Sequence, residues 1–127
     1  MQWNSHDLVI HVRKGELGTV LKVHENDQLL GIKQNNGKSP GWKISDCQHV
    51  IQQVPPNQPW KLGDVVYWGA NAQPSTIFGW SPETQQWVVH VRKPRHDRYE
   101  LVDRDAIAVT PLEAQEKAWQ REWDTID

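Results

Sequence analysis

Cysteine, methionine and phenylalanine each occur once in these 127 residues. The lone Cys47 excludes an intramolecular disulfide and a cysteine-rich zinc site, and it fits a reducing compartment. No apolar run approaches the roughly 18 residues that a membrane-spanning helix needs. The N-terminal MQWNSHDLVIH lacks the basic, apolar and small-residue blocks of a signal peptide. A soluble cytoplasmic chain with no membrane insertion is therefore expected. Chemistry is equally sparse. There is no nucleophile elbow, no glycine-rich phosphate loop and no carboxylate pair with an evident partner, so no catalytic residue is assigned and the chain reads as a non-enzyme. Cys47 and His49 form C-x-H, but no second pair stands at a usual ligand spacing; no metal and no cofactor are expected.

What the chain does have is eight tryptophans, a large investment in flat apolar surface whose indole N–H needs a partner when buried. Its formal net charge is -2, which gives no general attraction to nucleic acid or anionic membrane. The imbalance sits in the tail, where residues 110–127 carry two Lys/Arg against five Asp/Glu.

Short alternating apolar words (LVIHV, TVLKV, LLGIK, DVVYW, TIFGW, WVVHV) are separated by turn-rich ones such as NNGKSPG and ANAQPS, the pattern of many short strands. Three prolines in QVPPNQP, residues 53–59, cannot sit inside a paired sheet and mark a linker between two halves. The twin words VIHVRK (9–14) and VVHVRK (88–93) suggest a repeat, yet at that shift GELGTV would face PRHDRY, which shares nothing with it. A shift of 57 does better, bringing Asp7 onto Asp64, Val9 onto Val66, Thr19 onto Thr76, Val20 onto Ile77 and Val23 onto Trp80. It returns later as Trp42 on Tyr99 and Asp46 on Asp103, while LLGIK matches VVHVR best when slid two residues more. Each half then reads as five short antiparallel strands with a long first loop, the layout of a small barrel. TVLKV and DVVYW look apolar on both faces, as barrels packed against each other require.

KLGDVVYW, then QWVVHVR, then YELVDRDAIAV resembles the SH3-like barrel superfamily, which includes KOW and Tudor modules. The first half departs from it in having His6 where Gly63 stands. The resemblance implies a mostly β fold of two tandem five-stranded SH3-like barrels, 5–54 and 60–110, joined by the linker 55–59 and followed by a C-terminal helix, 111–127. It also implies docking to a larger protein assembly as an adaptor or regulatory module.

The helix is signalled by Thr110-Pro111-Leu112-Glu113: an N-cap, a proline at the first helical position and a glutamate three residues after the cap. Leu112, Trp119, Trp123 and Ile126 fall near one face, which would either close the barrels or enter a partner's groove. A basic stretch holds Arg92, Lys93, Arg95 and Arg98; beside aromatics it offers the alternative of RNA or DNA phosphate binding. Trp68 and Tyr99 are the aromatic candidates for a partner-binding face. Alternation puts His11 and His90 opposite the larger apolar set of their strands, on a solvent side where an acid-base role is not expected.

Overall fold

The computed structural model describes residues 2–92 and 97–124. The fold is mostly β, with two antiparallel sheets and one C-terminal helix. The first sheet is formed by β1 (Leu8–His11), β2 (Glu16–His24), β3 (Leu29–Lys33), β4 (Gly41–Lys43) and β5 (Cys47–His49), in the order β4-β3-β2-β1-β5. The second is formed by β6 (Val65–Trp68), β7 (Gln73–Ser81), β8 (Gln86–Arg92) and β9 (Asp97–Val102), in chain order. Neither sheet closes on itself, so closed barrels are not what the structure displays. The fifth strand of the second half shrinks to one bridge, between Tyr67 and Ala108. Nor is the first loop long: β1 and β2 are joined by a tight turn over 12–15.

The two halves repeat, and backbone pairing fixes their register better than side-chain similarity does. Val20 pairs with Ile32 as Ile77 pairs with Val89, and Val23 pairs with Leu30 as Trp80 pairs with Trp87. Both hairpins therefore keep the shift of 57, without the two-residue slide that LLGIK and VVHVR suggested. Each also carries a bulge at the same place, Leu21 or Phe78, where one extra residue bends the strand. Three pairs of left-handed residues obey the same shift: His6 with Gly63, Gly15 with Ala72, and Gln28 with Gln85. After the third strand the shift becomes 60. Trp42 pairs with Leu30 where Val102 pairs with Trp87, and the 3-10 turns Ile44–Asp46 and Arg104–Ala106 follow in step. Trp42 is thus equivalent to Val102, and Tyr99 is not its counterpart. Loop length differs here, and two aromatics had merely come into line.

The opening turn is built alike in both copies. His6 N–H donates to Val20 O at 2.7 Å and Gly63 N–H to Ile77 O at 2.8 Å, while Asp7 and Asp64 each accept a backbone N–H three residues upstream at 2.9 Å. His6 holds φ 74° where Gly63 holds 91°, a region in which a Cβ crowds the backbone.

Each sheet wraps its own apolar cluster: Val9, Val20, Leu30, Ile32 and Trp42 in the first, Val66, Ile77, Trp80, Trp87, Val89 and Val91 in the second. A third cluster joins the sheets, with Ile10 from β1, Val88 from β8 and Val50 fully or nearly buried. Strands β1 and β8, which carry the twin words, are buried on both faces, as is the end of β7 at Gly79, Trp80 and Ser81. TVLKV and DVVYW are not, because Leu21 and Val65 are exposed. Hydrogen bonds fasten the layer at its ends. Ile51 exchanges two backbone bonds of 2.8 Å with Trp80, and Tyr99 N–H donates to Gly15 O at 2.8 Å. A Cβ on Gly79 would lie 2.7 Å from Ile51 O, so the first contact requires glycine there.

We predict that Ile10→Ala lowers the unfolding free energy in urea by about 2–5 kcal/mol, the cost of emptying a fully buried site. A change under about 1 kcal/mol would show that the shared layer contributes little. His6→Gly should raise it by up to about 1 kcal/mol, since relief of left-handed strain exceeds the added chain entropy; a loss would show that the imidazole has a contact worth more than the strain.

Candidate functional site

Helix α1 (Pro111–Asp124) starts where its sequence signals it: Glu113 N–H donates to Thr110 Oγ1 at 3.2 Å. Its docked face is small and basic. Ala114 is fully buried against Tyr67, Ala72 and Ala108. Lys117 Nζ donates to Ile107 O at 2.7 Å, and Arg121 Nη2 reaches Asp103 at 2.8 Å and Asp105 at 2.9 Å. The opposite face carries the indoles. Leu112, Trp119 and Trp123 are 65%, 62% and 57% exposed, with the two indoles edge to face at 6.1 Å between centroids. The helix does dock on its own second sheet, but through Ala114, Lys117 and Arg121, and the apolar stripe expected to make that contact is left exposed. Ala114 leaves the helix backbone close to the sheet, a gap without room for an indole. Ile126 lies outside the described residues.

Hydrogen bonds from Arg121 and then Gln86 hold the Asp103 carboxyl below its usual range, and Asp103 in turn raises Arg121. Docking of α1 is thereby tied to an ionised Asp103. That contribution is present above the ordinary aspartate pKa and is lost as pH falls through the lowered one.

Trp68 is half-buried against the apolar cluster of the second sheet, its Nε1–H donating to Ser75 Oγ at 2.8 Å. Two cavities of about 270 Å3 flank it. One is bordered by Val91, Arg98 and Glu100, the other by Leu101, Ala118 and Arg121. Tyr99 does not join this site. It belongs to the layer between the sheets, edge to face with Phe78 at 5.0 Å and stacked on His90 at 4.9 Å. Burial and then Asp97 raise its hydroxyl above the usual tyrosine range. The two aromatic candidates therefore occupy different faces of one sheet.

The basic stretch is only partly described. Arg92 is exposed at the end of β8, and Arg98 Nε pairs with Glu100 beside it. Lys93 and Arg95 lie outside the described residues.

The histidines depart from the solvent-side expectation. His11 is 4% exposed: its Nε2 lies 3.7 Å from Asp46, its Nδ1 accepts the Lys14 N–H at 3.2 Å, and Trp42 stands edge-on at 5.2 Å. His90 is half-buried, with Nε2 3.1 Å from Asp97. Alternation assigns two faces to a strand but does not say that one is open, and here β1 and β8 are covered on both. A histidine beside a carboxylate is the geometry of a general base, yet each ring nitrogen of His11 meets a group of the chain itself, leaving neither turned toward a substrate.

Sequence reading weighed His49 only as half of the C-x-H pair and missed its place between two carboxylates. It is buried, stacked on Trp3 at 3.6 Å, with Nδ1 2.9 Å from Glu83 and Nε2 3.3 Å from Asp7. Its backbone N–H also reaches Glu83, at 2.5 Å, so it ties β5 to the turn between β7 and β8. Only the partners' proximity, invisible along the chain, gives it this role. Among the described residues no group of three or more His, Cys, Asp or Glu is arranged to hold a metal ion, and no helix is long and apolar enough to cross a membrane.

No protein-family model, curated protein or solved structure significantly matches the chain. Function must be read from the surface that the fold exposes.

Burial, and then the charges of Asp46 and Glu83, push the Cys47 thiol up to about 12, and its S–H donates to Lys43 O at 3.2 Å. We predict that a thiol reagent at pH 8 labels Cys47 only after urea unfolding. The unfolded thiol ionises first, so this group lowers stability as pH climbs from about 9 toward about 12. Rapid native labelling would contradict that burial, and Cys47→Ala should remove this part of the alkaline slope.

Proposed function

We propose that the protein is a non-catalytic docking module in which two SH3-like half-barrels form the platform and α1 presents an apolar face to a partner protein. The strand order of the first sheet, its 3-10 turn before β5, and the matching turn in the second half support the SH3-like reading. The observation that carries the function is the outward face of α1. A helix that only closed a core would bury its largest apolar side chains, whereas this one buries alanine and exposes two indoles and a leucine. Tryptophans in that setting are the residues that dominate binding energy when a partner desolvates them. An enzymatic reading has little to stand on, because the buried His11 is walled in by its own chain. The nucleic-acid alternative is weakened by the Arg98–Glu100 pair and by the acidic tail.

Trp119→Ala with Trp123→Ala should leave stability within about 0.5 kcal/mol of the parent, since both side chains are exposed. The same pair should cost at least about 2 kcal/mol in affinity for a protein captured from the native cell, a loss of about thirtyfold. Undiminished capture by the double variant would sink the docking role of α1. Salt-sensitive binding of single-stranded RNA or of DNA that Arg92→Glu abolishes would select the nucleic-acid reading instead.

A further inference from the structure

We infer that Asn36 is a modification site, at which the folded chain deamidates itself through the backbone nitrogen of Gly37 and turns the tip of one hairpin acidic. The hairpin joins β3 to β4. Gln34 N–H donates to Lys38 O at 2.9 Å, and Gly37 N–H donates to Gln34 O at 3.1 Å. Asn36 and Gly37 lie exposed at its tip. Of the six asparagines in the chain, five are followed by a residue with a side chain (Ser5, Asp27, Asn36, Gln58 and Ala72), and Asn36 alone is followed by glycine. Where a Cβ on Gly37 would stand there is open space, with no atom within 4 Å, and its φ is 86°. The Gly37 nitrogen thus meets solvent on the side that any other residue would cover with its side chain.

The carboxamide of Asn36 is already turned toward that nitrogen. Its Oδ1 accepts the Lys38 N–H at 3.0 Å, which holds the side chain along the C-terminal side of its own backbone. The same N–H stands where negative charge gathers when Cγ is attacked, the placement by which a backbone donor stabilises a tetrahedral intermediate. The bond from Gly37 N–H to Gln34 O must open first, and at an exposed hairpin tip such a bond opens at little cost. Water and hydroxide are the only co-reactants. Hydroxide takes the Gly37 amide proton and the nitrogen bonds to Cγ; the bond from Cγ to Nδ2 breaks, and Nδ2 leaves as ammonia with a proton from water. Water then opens the cyclic imide. Opening at Cγ leaves aspartate on the original backbone, whereas opening at the backbone carbonyl leaves isoaspartate, whose chain runs on through Cβ and Cγ. Either product replaces a neutral side chain by an anion, in the wall of a cavity of about 530 Å3 that already carries Glu16 and Asp97. Isoaspartate also lengthens the turn by a methylene, which puts the Gln34 bonds out of register and loosens β4, the edge strand that carries the buried Trp42.

The test incubates the full chain at about pH 8 and about 37 °C, native and in guanidinium chloride, and follows the tryptic peptide 34–38, released at Lys33 and Lys38, by mass spectrometry. A gain of about 1 Da should accumulate on Asn36 and not on Asn35, which is also exposed and lies in the same peptide. The product should split into two chromatographic forms, of which Asn36→Asp marks the aspartate one. Conversion in the native chain should be at least as fast as in denaturant, since unfolding takes the Lys38 donor away from Oδ1. Gly37→Ala should slow conversion about tenfold, because its Cβ stands against the attack. Alanine is strained at that φ, so the comparison of native with unfolded parent decides the matter without any variant. Native Asn36 left intact while the unfolded chain converts would overturn the inference, the bond to Gln34 then protecting the turn. Equal conversion of Asn35, or of Gly37→Ala, would overturn it as well, because the glycine and the turn would then select nothing.

Discussion

The apolar cluster that Ile10 of β1 and Val88 of β8 share with Val50 is the packing on which the rest of the fold depends. Each half is about fifty residues, too few for one core to stabilise a sheet by more than a few kcal/mol. Neither sheet closes, so each has a second face to cover. Sharing a layer solves both problems, since one set of valines, isoleucine and aromatic rings is buried by both halves. The arrangement demands strands apolar on both faces, which is why LVIH and WVVHV read as nearly continuous apolar words. It also accounts for the twin hexapeptides. They are not equivalent in the repeat, being the first strand of one sheet and the third of the other, but both meet the demand of burial on two sides.

Much of this organisation is legible in the amino-acid sequence. The shift of 57 holds through three strands because turns with left-handed residues and bulges tolerate few alternatives, and His6 keeps the backbone of Gly63 even without being glycine. Legibility failed first at the third strand, where LLGIK matches VVHVR only after a slide of two residues that the pairing does not make, and again beyond it. Likeness of Trp42 to Tyr99 outweighed the hydrophobic phase, although phase is what the core enforces: Trp42 and Val102 are buried, while Tyr99 sits between the sheets. A change in loop length leaves no mark in composition. The histidines failed for a related reason, since a strand's period reveals its two faces and says nothing of what lies against them.

The helix shows the same limit from the other side. Its cap, proline and acidic first turn announced its start, and its apolar stripe was visible at helical spacing. Which face docks was not, because amphipathicity ranks faces by apolar size whereas docking is decided by fit. Against Tyr67, Ala72 and Ala108 the closest approach belongs to Ala114, and the longer Lys117 and Arg121 reach past it to backbone and carboxylate. The indoles were left outside. With both sheets turned toward each other, and β6 under the helix, the remaining large apolar face of α1 is where a partner has most to gain.

The central claim is that the two sheets form one cooperative unit through their shared layer, with α1 laid on it as a less protected element. Native-state hydrogen exchange tests it most directly, since it resolves opening free energies strand by strand. The account predicts that amides of β1 and β8 open only with global unfolding and at the same free energy, while those of the last turn of α1 open at lower cost. Exchange of β1 through an opening that leaves β8 protected, or the reverse, would contradict it.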